Sequence, residues 1–184
     1  MSTSDASNPQ QVLHFWFQEL GERQWFVADA GVDAAISEGF TDLHAQAVAG
    51  ELFDWRRDVF GRLAEIIVLD QFSRNLFRDT ARAFASDATA LVLAQECVLQ
   101  GMDEQLDSSQ RGFLYMPFMH SESALMHELA VTLFAQPGMA ANYDFELKHK
   151  AIIDQFGRYP HRNVVLGRES SDAELNFLDE NPDF

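Results

Sequence analysis

Residues 59–75 read VFGRLAEIIVLDQFSRN, and the reading of this run decides the fold. Val59, Leu63, Ile66 and Ile67 recur at helical spacing, and from Ile66 to Leu69 the chain is apolar on every side. A stripe that widens in this way belongs to a helix covered by neighbours on several faces. This helix is expected to be the most buried one. Its end turns polar: Asp70, Arg74 and Arg78 fall four apart in one row, with Gln71 and Asn75 in the adjacent row. Asp70 also continues the line of Leu63 and Ile66, which points it inward. A buried carboxylate needs a partner, and Arg74 is the nearest.

A second run echoes the first. Residues 151–168 read AIIDQFGRYPHRNVVLGR, so an Asp-Gln-Phe-x-Arg core occurs at Asp70 to Arg74 and again at Asp154 to Arg158, each time after paired isoleucines. Internal echoes mark stacked helix pairs, and the repeat favours that architecture over a closed bundle. In the second run Gly157 permits a left-handed helix end and Pro160 opposes continuation. Arg158, His161, Arg162 and Asn163 are thereby expected on an irregular segment anchored by a helix end, a common setting for binding residues.

Outward from these runs the chain is punctuated as a series of helices. Asn8-Pro9 and Gln11 mark a start, with Gly21 as the stop. Ile36, Phe40, Leu43 and Ala47 give an amphipathic helix over 33–49, ended by Gly50. Asp54 is the expected cap of the buried helix, Ser86 or Asp87 that of the next, and Asp107 with Gln110 that of another. Pro117 is expected to kink or end that last helix, leaving His120-Ser121-Glu122 at a junction. A helix over 123–135 is expected to turn Leu125, Leu129, Thr132 and Leu133 inward, and one over 140–156 to carry Phe145, His149, Ile152 and Phe156 on one stripe. Ser171 to Glu174 is a capping box. Asn163 to Leu166 is the one stretch with any strand character. The sum is an all-α, single-domain chain (1–184, with 1–7 frayed) of seven to nine helices in antiparallel, stacked pairs.

Composition bounds the function. A formal charge of −16 in 184 residues opposes phosphodiester backbones, so no nucleic-acid partner is expected. No window reaches the ~18 apolar residues of a membrane span, the start lacks a secretion signal, and the lone Cys97 cannot pair internally; a soluble, cytoplasmic protein is expected. Only Lys148 and Lys150 are lysines. The arginines concentrate in the two echoing runs, where fork-shaped donors suit carboxylate or phosphate.

Several chemistries fail on spacing. His127-Glu128 opens like a zinc-protease motif, but Val131 stands where the second histidine belongs. Ser121 lacks a nucleophile elbow, and there is no phosphate loop or dinucleotide fingerprint. Neither metal nor cofactor is expected. What remains is an Arg/His/carboxylate set for an anionic small molecule or peptide: Asp70, Arg74, Asn75, Arg78, His120, Glu122, His149, Arg158, His161, Arg162, Asn163 and Arg168. The same set admits a small hydrolase or lyase, with Glu122, His161 or His120 as acid or base. It also admits a purely structural ion-pair network. A leftover apolar helix face would allow a homodimer.

These residues resemble a known family. DQFSRN followed by Arg78, Ala83-Phe84 followed by Asp87, Met119 to Glu122, FGRYPHRN, and Leu166-Gly167-Arg168 are similar to the bacterial proteins catalogued as domain of unknown function 924. Tyr159 stands where that pattern has Phe, and Ser123 to Glu128 lacks its Asp and Gln. The resemblance implies a tetratricopeptide-like superhelix with a concave surface and, by analogy of fold alone, binding of peptides or partner proteins. It implies no activity.

Overall fold

The computed structural model describes residues 8–182; the tail expected over 1–7 lies outside them. The protein is all-helical, with eight helices and no strand among the described residues. They are α1 (residues 9–19), α2 (Ala30–Val48), α3 (residues 59–76), α4 (Asp87–Leu99), α5 (Ser108–Met119), α6 (Ala124–Phe134), α7 (Ala140–Phe156) and α8 (Asp172–Glu180). Each of α2 to α6 packs on the next, and α3 also meets α1 and α5. That succession is compatible with stacked pairs.

The central place of α3 follows from its sequence. Leu63, Ala64, Ile66 to Leu69 and Phe72 are all fully buried, and each large apolar side chain among them contributes roughly 1.5–3 kcal/mol. Trp16 of α1 and Phe113 of α5 meet edge to face at 5.4 Å, and Trp16 lies 5.7 Å from Phe72. Gly61 is obligatory where the preceding turn, Phe53–Arg57, crosses α3: a Cβ there would lie 2.0 Å from the Trp55 carbonyl oxygen. Arg56 leaves that turn to grip buried Glu65 with two hydrogen bonds of 2.6 and 2.7 Å.

Side-chain caps set most of the helix starts, at Asn8, Asp29, Asp58, Asp107 and Ser171. The expected cap Asp54 instead sits inside the turn, pairing with Arg57, and Asp58 accepts from the Phe60 and Gly61 amides. Pro117 lies inside its helix, and α5 runs on to Met119 before His120 caps it. The inner face of α6 is also displaced from expectation. His127, Ala130 and Phe134 are buried, whereas Leu125 is 66% and Leu129 46% exposed, because a buried Glu146 on α7 holds His127 inward. Asn163 to Leu166 forms turns rather than a strand.

Gly157 has the left-handed conformation (φ 69°) that closes α7. On either side of it Ile152, Ile153 and Tyr159, with Phe156 and Phe177, form a small second core. The edge between this satellite and the main core is where the polar residues gather.

Candidate functional site

The site begins with a distortion of α3. Over Val68–Phe72 the helix widens into a π turn, a feature often found where a helix carries function. Asp70 sits in this turn, wholly buried. Its Oδ1 lies 2.8 Å from His120 Nδ1 and 3.2 Å from Arg74 Nη1, and its Oδ2 accepts from Gln71 at 2.5 Å. Arg74 Nη1 also donates to the Asp70 carbonyl at 2.6 Å. Burial pushes the Asp70 carboxyl up, but Arg74, His120 and the hydrogen bonds together hold it below the usual carboxylate range. Asp70 is therefore a carboxylate, which only accepts, so His120 presents Nδ1–H to it.

Arg74 continues outward to Asp87 at the start of α4, with bonds of 3.0 and 3.1 Å. Asp87 serves a second arginine: Arg162 Nη1 donates to its Oδ2 at 3.2 Å. The Arg162 guanidinium is also held by two rings, with its carbon 4.5 Å from the Phe84 centroid and 4.6 Å from that of Tyr159. It is only 6% exposed, and its Nε makes no hydrogen bond among the described residues. Burial lowers the Arg162 pKa, with Arg74 adding to the effect and Asp87 opposing it.

Arg74, Arg162, His120, His149 and His161 line one cavity of about 850 Å³, with Arg74 at the end of α3, Phe84 before α4 and His120 after α5 on one side, and α7, Tyr159–Arg162 and α8 on the other. Its apolar walls include Phe84, Phe145 and Phe177, and Lys148 and Glu180 also face it. This volume lies within the range of small-molecule sites. The rings of His149 and His161 lie 5.7 and 5.5 Å from that of Tyr159. Burial depresses both histidines to about 4; His120, His127 and His161 add to the effect at His149, and Arg162, Arg74 and His120 at His161. Burial and Arg74 lower His120 as well, against the pull of Asp70. At neutral pH all three imidazoles are uncharged. Among the described residues no set of three or more His, Cys, Asp or Glu is arranged to hold a metal.

Other expected site residues are placed elsewhere. Asn75 and Arg78 both reach Asp33 on α2, at 2.7 Å each. Glu122 accepts from Arg168 at 2.7 and 2.9 Å and from the Tyr159 amide at 2.8 Å, so it clamps the segment after α7 instead of facing the cavity. Arg158 binds Glu174 of α8 at 2.6 and 2.8 Å, and Asn163 donates to Ser170. These contacts hold the cavity wall in place.

Sequence reasoning assigned no site role to Asp87, Phe84, Tyr159 or Lys148. Phe84 and Asp87 stood in the motifs without a role, since an aspartate at a helix start reads as a cap. The buried pair of His127 and Glu146 (2.7 Å) was also missed. His127 Nε2 donates to the Ser121 carbonyl at 2.8 Å, and burial raises the Glu146 carboxyl against the pull of His127. The stripe His127, Ala130, Phe134 was the available signal. Tyr159, in the position of a family Phe, uses its hydroxyl to donate to the Met119 carbonyl at 2.5 Å, tying the satellite core to the end of α5.

Residues 12–182 match the profile of a bacterial protein of unknown function, DUF924. The chain belongs to this family. A solved structure of a protein of unknown function from Agrobacterium tumefaciens is similar over 94% of this chain and 97% of its own, at 34% identity and a TM-score of 0.89. No curated protein matches. As a DUF924 member the chain thus has its fold in common with that structure, and no helix among the described residues is long and apolar enough to cross a membrane.

Proposed function

We propose that the protein binds a small anionic metabolite with an apolar body in the cavity beneath Arg162. The observation that carries this reading is the state of Arg162 itself. Two aromatic faces fix its plane, burial strips it of water, and the single carboxylate beside it is already shared with Arg74. A buried cation so incompletely paired gains more from an anion than a surface arginine does, because the cost of desolvation is already met by the fold. Neutral imidazoles add hydrogen-bonding groups without adding charge, and Phe84, Phe145 and Phe177 offer apolar surface to the rest of the ligand.

We place this activity in the cytoplasm. Cys97, buried and raised by burial to about 11, is an inert thiol in keeping with a reducing compartment.

Thermal unfolding against mono- and dicarboxylates and phosphorylated metabolites tests the reading. A ligand at a hundred times its Kd adds about 2.7 kcal/mol, a rise of several degrees in Tm. The expected result is a shift that disappears in Arg162→Gln and survives in Arg57→Gln, which removes an exposed arginine paired with Asp54. No shift with any anion, or one indifferent to Arg162→Gln, overturns it.

A further inference from the structure

We infer that His120, oriented by Asp70, is a general base that removes a proton from the carbon next to the ketone of a bound 2-oxo acid. The inference rests on the binding reading above and adds a reaction to it. Its starting point is orientation. Asp70 is buried, carried by the π turn and held on both oxygens, by Gln71 on Oδ2 and by His120 and Arg74 on Oδ1. With Nδ1–H committed to Asp70, the lone pair of the ring lies at Nε2, and His120 is a wall of the cavity. A carboxylate fixing one imidazole nitrogen so that the other acts as base is a recurring catalytic arrangement.

The surroundings select the reaction class. Among the described residues the cavity wall holds no serine, threonine or cysteine, and the Tyr159 hydroxyl donates to the Met119 carbonyl. A covalent route through a hydroxyl or thiol therefore has no carrier among these wall residues, and the amine that also faces the cavity, Lys148, lies 5.3 Å from the Phe145 ring centroid. Arg162 is suited both to the carboxylate of a 2-oxo acid and to the oxyanion that forms beside it. Abstraction at C3 balances without a co-reactant. The C–H bond breaks, its proton goes to His120 Nε2, its electron pair forms the C2–C3 double bond, and the ketone pair moves to oxygen as an enolate held by the arginine. Return of a proton from Nε2 to C3 restores the ketone with exchange, and its delivery to the oxygen gives the enol.

The charged and titratable groups around His120 set the pH response. Asp70 and Arg74 approach from α3 and Asp87 from α4, and His149 and Lys148 of α7, His161 and Arg162 of the segment after it, and Glu180 of α8 line the same cavity. Arg74 and burial keep the imidazole neutral, while Asp70 favours the imidazolium that forms on proton transfer. A base in this setting works at neutral pH and loses activity only in acid.

The test is proton-deuterium exchange at C3 of 2-oxobutyrate and 4-methyl-2-oxopentanoate, followed by NMR in D2O with the full chain. Exchange above the buffer rate is expected, and His120→Gln should lower it about a hundredfold or more while keeping the ligand-induced rise in Tm. Asp70→Asn should lower the plateau rate and move the acid midpoint to lower pH, because the carboxylate that raises the His120 pKa is gone; a role confined to folding would leave that midpoint in place. Two kinds of result, in exchange or in binding, overturn the inference while leaving the binding reading intact. One is an Arg162-dependent rise in Tm with exchange at the buffer rate, or equal exchange in His120→Gln. The other is stabilisation by other anions but by no 2-oxo acid. Failure of every anion to stabilise the protein removes both readings together.

Discussion

The two Asp-Gln-Phe-x-Arg runs share four residues and almost nothing else. In the first, α3 continues past the motif, so Arg74 stays one turn from Asp70 and pairs with it. In the second, Gly157 turns left-handed between Asp154 and Arg158, and the helix ends. Arg158 leaves for Glu174 on α8, and Asp154, half exposed, takes Lys150 instead. Phe72 is core, whereas Phe156 packs at the edge of the small satellite against Phe177 at 5.3 Å. One glycine thus converts a buried dyad into two separate ion pairs, Arg158 on buried Glu174 and Lys150 on half-exposed Asp154. A motif shared by two helices carries its chemistry only where the backbone keeps its ends in register.

The sharpest way to break this comparison is to neutralise the two aspartates in turn. Asp70→Asn withdraws the charge that balances Arg74 inside the core and should cost about 3 kcal/mol in urea unfolding. That loss leaves a domain of ordinary stability folded. An effect no larger than that of a surface substitution would mean that Asp87 alone satisfies Arg74.

The next effect is expected in acid. His149 and His161 titrate near 4 when folded, against an ordinary histidine value of 6.5. Between these values the unfolded chain binds more protons, so stability is full above about pH 6.5 and falls as pH drops toward 4. Asp70, with its carboxyl held low, contributes its own loss only below the ordinary value of 3.8. Chemical unfolding at a series of pH values in wild type and in His149→Gln/His161→Gln separates the two windows. A double variant as acid-sensitive as wild type between pH 6.5 and 4 would assign the loss to other groups.

The smallest effect should come from Asp154→Asn, within ~0.5 kcal/mol, because an exposed lysine pair is screened by water. A loss approaching that of Asp70→Asn would erase the contrast between the runs.

Much of the layout was legible before any coordinates. The most buried helix, the caps at Asn8, Asp107 and Ser171, the stop at Gly157 and the all-helical class all rest on local periodicity and backbone chemistry, which a chain carries wherever it goes. The failures have a common cause. Leu125 and Leu129 look inward by hydropathy, yet α6 turns His127 inward because Glu146 waits there, and no local rule reports a partner nineteen residues away. Asp87 looks like a cap from its position, but its carboxylate is spent on two arginines.

The sequence by itself determined that this chain forms helices, where they start and stop, and that α3 lies at the centre, because propensity, capping and apolar spacing act over a few residues. Only the tertiary structure decided which arginines close on a carboxylate and which one, Arg162, is left partly open between two rings. Pairing energies depend on distance and burial across the fold, and Arg56 on Glu65 and Arg162 on Asp87 are the same chemistry with opposite outcomes.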